Sequence, residues 1–405
     1  MKRFFLAFLF FLPFQISVNV FPESDIAISR LFVALLFLWW LASSLKVKRI
    51  NLPCGLSSVF LLAFLCWSAF TLFYAPQLNF ALRKELFLLN FFLLLVITPS
   101  FFSSPYDEQY FTSSLMYSAL IVSFLGIAQF LAPFFIGLER VINAFTFLAP
   151  LIYGANFGQS IITFNSWLVN VQGQTFFRAI AFFPDPHIFA FYLAFVTPLA
   201  FLSGKKRYRV FGIIFLITLA LTFSRAGYIG AIVAFFVYAL LSEKRKYIMC
   251  AFPVIFLLLF ITPAWSRLVS SFDSNEGSGQ ARLAIWGKAL TVIKEHPFWG
   301  VGLGNYAFAV APTSDYRTPI YAHNLYLDIW AELGIVGLLL FLCAILHALY
   351  TCLIFRKRHW MYNTILVSII WFSCQAFFDT PLFSVHILPL LLIFLVLPDT
   401  IHATT

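Results

Sequence analysis

Long apolar runs separated by short polar stretches extend along most of the chain. A membrane-spanning helix needs about 20 mostly apolar residues, and the sequence contains about twelve such runs. They are centred on residues 4–20, 27–45, 55–75, 85–102, 110–135, 187–203, 210–223, 226–241, 247–263, 324–350, 361–378 and 382–398. The pattern predicts an all-α integral membrane protein with about 12 transmembrane helices, in which residues 1–405 form a single polytopic membrane domain.

The first apolar run has two interpretations. Lys2 and Arg3 precede its apolar core, as in a secretory signal peptide, but no A-x-A cleavage site follows. We therefore count residues 4–20 as a helix and keep a cleaved signal as the alternative.

Composition excludes a soluble protein. Hydrophobic residues make up 62% of the chain and charged residues 10%, whereas a soluble domain has roughly 45–50% apolar and about 25% charged residues. Soluble enzymes and nucleic-acid-binding proteins are thus excluded, and the lipid bilayer is a predicted partner. The six cysteines form no C-x-x-C pair, so they indicate neither a disulfide framework nor a metal site.

Basic residues predict the orientation, because cytoplasmic loops collect Lys and Arg. Five clusters hold 15 of the 26 basic residues. They are Lys2/Arg3, Lys46/Lys48/Arg49, Lys205/Lys206/Arg207/Arg209, Lys244/Arg245/Lys246 and Arg356/Lys357/Arg358. With twelve spans, one orientation places every cluster on the cytoplasmic face. It predicts that the N- and C-termini are both cytoplasmic.

The same orientation places two long connections on the outer side of the membrane: residues 137–186, and residues 264–322 between the ninth and tenth spans. The second contains apolar positions at helical spacing, ended by Pro297. These positions are Leu283, Trp286, Leu290 and Ile293, with Ser278 available as an N-cap. We predict a surface helix that lies along the membrane or covers a cavity.

Three arginines on the predicted outer side are candidate anion ligands. Arg225 follows Ser224 at the polar break that divides residues 210–241 into two spans, and a charge at that depth indicates function. An arginine that only reaches lipid phosphates is the alternative. Arg282 begins the surface helix, and Arg178 precedes the Asp185-Pro186 turn. Asp185 is placed to pair with an outer arginine or to serve only the turn.

A polar stripe begins the tenth span. Asn324, Asp328 and Glu332 are spaced i, i+4 and i+8, so they share one helix face that must point into protein or a wet cavity. His323 precedes the stripe, on the same side as the arginines, and can act as a base near neutral pH. A histidine without a function is the alternative.

Several strings together resemble the O-antigen ligases and related polymerases. In chain order they are Ser224-Arg225-Ala226-Gly227, Arg282 with Trp286, Pro297 to Gly302, and His323-Asn324 followed by Glu332 to Gly337. Asp185-Pro186-His187 resembles the Asp-Pro-Asn element of many members, with His187 as a departure. The matched region is about 178–340, and the first half of the chain matches only in being helical.

The resemblance implies a membrane glycosyltransferase with a periplasmic active site and no cofactor. Its donor would be a glycan on undecaprenyl diphosphate, and its acceptor a sugar hydroxyl of lipid A–core or of a second lipid-linked repeat. Arginines would hold the diphosphate in place of a metal, with Arg225, Arg282 and Arg178 as ligands. His323 would be the catalytic base, supported by Asp185, Asn324, Asp328 and Glu332.

Three alternatives stay open at this point. A polymerase would use the same donor chemistry, and an O-linked protein glycosylation enzyme would share the motifs. A transporter or lipid-carrier flippase would also have about twelve spans, but should show internal repeats and substrate groups at midplane. The polar residues here gather at one face, which favours a glycosyltransferase over a transporter.

Overall fold

The computed structural model describes residues 2–21, 24–47, 55–102, 104–171, 173–242, 277–313 and 320–404. Its helices are α1 (Lys2–Phe11), α2 (Ile28–Val47), α3 (Leu56–Phe70), α4 (Leu78–Phe92), α5 (Leu94–Phe101), α6 (Pro105–Ile136), α7 (Leu138–Tyr153), α8 (Ala155–Thr163), α9 (Pro186–Leu202), α10 (Lys206–Leu221), α11 (Arg225–Leu241), α12 (Gly277–Glu295), α13 (Tyr306–Val310), α14 (Leu325–Phe355), α15 (Trp360–Gln375) and α16 (Ile387–Thr404). Two antiparallel hairpins join them, β1 (Ser17–Phe21) with β2 (Ser24–Ala27) and β3 (Leu168–Val171) with β4 (Gln174–Phe177). The protein is an all-α membrane protein.

Four helices in the described ranges are long and apolar enough to cross a membrane. They are Ile28–Lys46, Leu56–Phe73, Tyr106–Ile136 and Leu325–Phe355. Shorter apolar helices occupy Pro186–Leu202, Arg225–Leu241 and Ile387–His402. The predicted span 247–263 lies outside the described residues, and the number of crossings stays a prediction.

The first predicted span is wrong in its extent. Helix α1 ends at Phe11 and strand β1 begins at Ser17, so residues 4–20 are not one helix. Ten residues of helix rise about 15 Å, roughly half the hydrocarbon thickness of a bilayer. Pro13 lies two residues beyond this end, and a proline disfavours further helix because it lacks the N–H and crowds the preceding turn.

Helix α9 forms the centre of the bundle. Its residues from Ile188 to Ala200 are all buried, and a helix that is apolar on every side belongs inside a protein or a membrane. Helix α2, by contrast, exposes Leu31, Leu35 and Leu38. An apolar surface of that kind suits contact with lipid rather than water.

Three of the predicted basic clusters lie at one end of the bundle. Lys2 Nζ is 2.6 Å from Asp107 Oδ2 at the start of α6, and Arg356 donates to the last carbonyl of α11 at 2.9 Å. The cluster at the start of α10 is joined to α6 through Tyr208, whose hydroxyl is 2.8 Å from that of Ser113. The two other clusters fall partly or wholly outside the described residues.

The described parts of the predicted outer connections are folded against the opposite end. Residues 137–186 contain α7, α8 and the β3–β4 hairpin, which the sequence analysis treats as an undivided segment. Helix α12 appears where the periodicity predicts it, but its buried face is different. Ala289, Val292 and Ile293 pack inward, whereas Leu283 is 66% and Leu290 44% exposed. Helix α12 therefore packs against the bundle with small and β-branched side chains.

The predicted sidedness can be tested by labelling in intact spheroplasts. In a variant without the six native cysteines, Leu283→Cys should react with an impermeant thiol reagent, because Leu283 is exposed on α12 at the predicted outer end. Lys206→Cys, exposed at the basic end, should react only after the membrane is opened. Reversed labelling would contradict the predicted orientation.

Candidate active site

Loops from several helices converge at the end of the bundle opposite the basic clusters. They contribute Arg178 after β4, Asp185 before α9, Arg225 at the start of α11, His323 before α14 and Asp379 between α15 and α16. Helices fix the position of each loop, so the polar side chains meet although they are far apart in sequence.

The turn between α10 and α11 places Arg225 at a helix start. Ser224 is the N-cap, and its hydroxyl accepts a hydrogen bond from the Gly227 N–H at 3.3 Å, which satisfies one of the unpaired donors of the first turn. A Cβ at Gly227 would lie 3.1 Å from that of Ala190 on α9. The Ser-Arg-Ala-Gly string thus combines a cap with a close helix contact.

Arg178 lies directly behind this turn. Its Nε donates to the Thr222 carbonyl at 2.7 Å and its Nη1 to the Ser166 carbonyl at 2.9 Å, and the residue is 5% exposed. Arg178 therefore connects the segment before β3 to the turn that carries Arg225. Contact between Arg178 and a diphosphate stays a prediction.

Asp185 caps helix α9. Its Oδ1 accepts from the N–H groups of His187 and Ile188 at 2.7 and 2.9 Å, so its hydrogen bonds serve the turn. Burial, together with the charge of Asp379, raises the pKa of Asp185 to about 6. His187, the departure from the family string, has its Nδ1 3.2 Å from Ser224 Oγ. The cap thus positions His187 against the start of α11.

His323 and Asp379 form the central pair. His323 Nδ1 lies 3.6 Å from Asp379 Oδ1, and 43% of the His323 side chain is exposed. The contact with Asp379 raises the pKa of His323 above its ordinary value, against the effect of burial. Burial alone would raise the pKa of Asp379, but His323 and His187 hold it below its ordinary value. The Asp379 carboxylate therefore faces Nδ1 of the His323 ring at ion-pair distance.

Asp379 is the residue that the sequence analysis missed. It lies in the short break between the predicted spans 361–378 and 382–398, on the predicted outer side. An acidic residue in so short a break was the available signal. Asp379 Oδ2 is also 3.8 Å from His187 Nδ1, so one carboxylate contacts two histidines.

Arg282 and Arg225 belong to the same electrostatic environment. Burial lowers the pKa of Arg282, the charge of Arg225 lowers it further, and Asp379 raises it. Arg225, Arg282 and Asp379 thus lie close enough for their charges to affect one another. The structure thus brings together Arg225, Arg282, His323 and Asp379.

The predicted polar stripe on α14 faces protein. Asn324 is the helix N-cap and accepts from Tyr326 and Leu327 N–H groups at 3.0 and 3.2 Å. Asp328 Oδ1 accepts from the Ala322 N–H at 2.8 Å, and its Oδ2 accepts from the Thr380 hydroxyl. Asp328 therefore connects the loop that carries His323 to the loop that carries Asp379.

Two of the strings that resemble the family dock against each other. The N–H groups of Val301 and Gly302 donate to the carbonyls of Ala331 and Glu332, both at 2.9 Å. Gly334 has φ +67, and a Cβ there would collide with the Phe298 carbonyl, so only glycine fits. This contact sets the position of α12, with Arg282, relative to α14.

Metal binding is unsupported in the described ranges. No three His, Cys, Asp or Glu side chains there form a group that could hold a metal ion. The independence of the reaction from metal stays a prediction.

Residues 210–342 match a protein family described as O-Antigen ligase. That segment contains Arg225, Arg282 and His323, whereas Arg178 and Asp379 lie outside it. The chain is also 29% identical to a Rickettsia conorii protein named as a polysaccharide ligase, over 35% of this chain and 39% of that protein. The match thus covers well under two thirds of the relative's length.

Proposed function

We propose that the chain is a ligase that attaches a lipid-linked glycan to lipid A–core, and the match of residues 210–342 to a family described as O-Antigen ligase supports this proposal. The donor is a glycan on undecaprenyl diphosphate, and the reaction takes place on the periplasmic face of the inner membrane. The observation that carries the proposal is that Arg225 and Arg282 share one electrostatic environment with the His323–Asp379 pair at one end of the bundle.

The arginines act on the donor. A diphosphate carries negative charge before and during transfer, and a guanidinium provides planar, paired donors that stay protonated. Arg225 and Arg282 hold the diphosphate, and Arg178 supports the turn from behind through the Thr222 carbonyl. Charge on the departing diphosphate is neutralised there, which weakens its bond to the sugar.

His323 acts on the acceptor. Its Nδ1 faces Asp379, so its Nε2 is the nitrogen that accepts the proton of the sugar hydroxyl. The hydroxyl oxygen then forms a bond to the anomeric carbon of the donor, and the bond from that carbon to the diphosphate oxygen breaks. Undecaprenyl diphosphate leaves with the electron pair, and Asp379 stabilises the imidazolium that has formed.

Deletion of the gene tests the proposal. A ligase predicts that lipid A–core loses its long glycan while lipid-linked polymer accumulates. Core that carries one repeat would instead identify a polymerase. Loss of attachment with the lipid-linked glycan trapped on the cytoplasmic face would instead identify a flippase and contradict the proposal.

Lysine substitutions test the two arginines. Arg225→Lys and Arg282→Lys keep the charge but lose the paired donors, so donor affinity and turnover should each fall about tenfold, the equivalent of one charge-assisted hydrogen bond. Donor binding and single-turnover transfer are measured on purified protein. Arg140→Lys, exposed on α7, is the matched control. Unchanged donor binding in both variants would show that these arginines do not bind the donor.

Activity should survive metal chelation, because the arginines take the place of a divalent ion. Purified protein is treated with EDTA, and transfer is compared before and after addition of Mg²⁺ or Mn²⁺. Strict dependence on an added ion would contradict the assignment and make Asp185, Asp328 and Glu332 the first ligands to test.

A further inference from the structure

Helix α7 has a buried face and an exposed face, and both are apolar. The buried face consists of residues that recur at every fourth position, Val141, Phe145, Ala149 and Tyr153. Phe147 follows Phe145 by two residues, which is about 200° around an α-helix, and it lies on the opposite face. There Phe147 is 73% and Leu151 64% exposed. A helix with apolar side chains on both faces needs an apolar neighbour on each of them.

The segment that contains α7 begins and ends at the candidate active site's end of the bundle. Helix α6 starts at the basic end, where Asp107 contacts Lys2, and its length carries the chain to the opposite end. Helix α9 starts at that opposite end, where Asp185 caps it. Helix α7 has 16 residues, fewer than the roughly 20 that a span needs. It therefore lies at the same end as the candidate active site.

The exposed face of α7 continues the surface of a candidate membrane span. Helix α6 is long and apolar enough to cross a membrane as far as Ile136, and Phe134 and Phe135 near its end are 62% and 82% exposed. Gly137, with φ +88, turns the chain directly into α7. Lipid surrounds the apolar surface of such a span, and an exposed apolar patch beside it indicates a contact with the same medium.

Polar and apolar residues are separated along the exposed face of α7. The first turns expose Glu139, Arg140 and Asn143, whereas Phe147 and Leu151 follow towards the other end. A protein interface would instead surround its apolar centre with a polar rim. Polar residues at one end and apolar residues at the other suit a helix that enters the boundary between lipid headgroups and acyl chains at an angle.

We propose that the lipid leaflet at this end of the bundle covers the exposed face of α7, so that α7 is a membrane-surface helix. Its buried face connects the lipid contact to the candidate active site, because the Phe145 ring lies 4.9 Å from the Trp167 ring and 5.6 Å from the Phe177 ring, centre to centre. Arg178 follows Phe177 and donates to the Thr222 carbonyl. Helix α7 thus sets the height of the arginine turn above the bilayer, and its lipid contact does not depend on the proposed function.

Spin labels in proteoliposomes test the lipid contact. The full chain, with its six native cysteines replaced, is reconstituted in vesicles of phosphatidylethanolamine and phosphatidylglycerol, and a nitroxide is attached in Phe147→Cys or Leu151→Cys. Oxygen concentrates in lipid, whereas a water-soluble nickel complex is excluded from it. Power saturation should therefore show each label to be several times more accessible to oxygen than to the nickel complex. Asn143→Cys, exposed one turn nearer the polar start of α7, is the matched control, and there the nickel complex should have the greater access.

The substituted side chains are largely exposed, so these variants keep the buried face of α7 intact. Greater access of the nickel complex at positions 147 and 151 would overturn the lipid contact. Low access of both reagents would place protein on that face and overturn it as well. Line broadening that disappears on dilution with unlabelled chains would identify that protein as a second copy. None of these results concerns glycan transfer, so each would leave the proposed function standing.

Discussion

Replacement of His323 by alanine is expected to lower turnover by about 10²–10⁴-fold, the usual contribution of a positioned general base. The affinity for the lipid-linked donor should stay nearly unchanged, because His323 acts only on the acceptor proton as the new bond forms. Donor binding and single-turnover transfer are measured on the same purified variants. A change confined to turnover is the signature of a group that acts in the transition state.

His296→Ala is the matched control for this substitution. His296 is an exposed histidine just beyond the end of α12, outside the proposed site, and its loss should leave both measurements unaltered. If His323→Ala abolishes donor binding, or transfers glycan at nearly the parent rate, His323 is not the base. His323→Gln is a useful second variant, since it keeps a polar side chain of similar length.

The sequence predicted the helices well wherever apolar runs end at polar or helix-capping residues. The division of residues 210–241 at Ser224-Arg225 is confirmed, since α10 ends at Leu221 and α11 begins at Arg225. The prediction of a span at residues 4–20 was wrong because apolar length alone does not distinguish a span from a short helix followed by a strand. Helices α7 and α8 were not predicted because they are short and amphipathic.

The candidate site was predictable only in part. Arg225, Arg282 and His323 stand out in the sequence because charge beside an apolar span is rare, and the resemblance to O-antigen ligases that they carry is confirmed. Asp379 gave a weaker signal because it lies at the edge of a predicted span, and so did Lys84, whose Nζ is 2.7 Å from Glu332 Oε1. Their partners, His323 and Glu332, are distant in sequence, and contacts of that kind follow from tertiary packing.

Replacement of Asp379 by asparagine should slow the reaction and shift its pH dependence. The neutral imidazole of His323 is the form that accepts a proton, so turnover should rise with pH through the pKa of His323. The contact with Asp379 raises that pKa. In Asp379→Asn the charge is lost, the pKa of His323 falls, and the acid limb of the profile should shift to lower pH.

The maximal rate of Asp379→Asn should nevertheless fall by at least about 10²-fold, because an amide neither stabilises the imidazolium nor fixes the tautomer. The measurement is single-turnover transfer from pH 5 to pH 9 with the donor saturating. Asp399→Asn is the matched control, because Asp399 lies 3.8 Å from His347 in a second histidine–aspartate contact, which the proposed mechanism does not use. A limb that moves to higher pH, or a rate loss shared equally by Asp399→Asn, would show that Asp379 does not act through His323. A limb that moves to lower pH together with a reduced maximum would instead assign both the proton acceptor and the carboxylate that orients it.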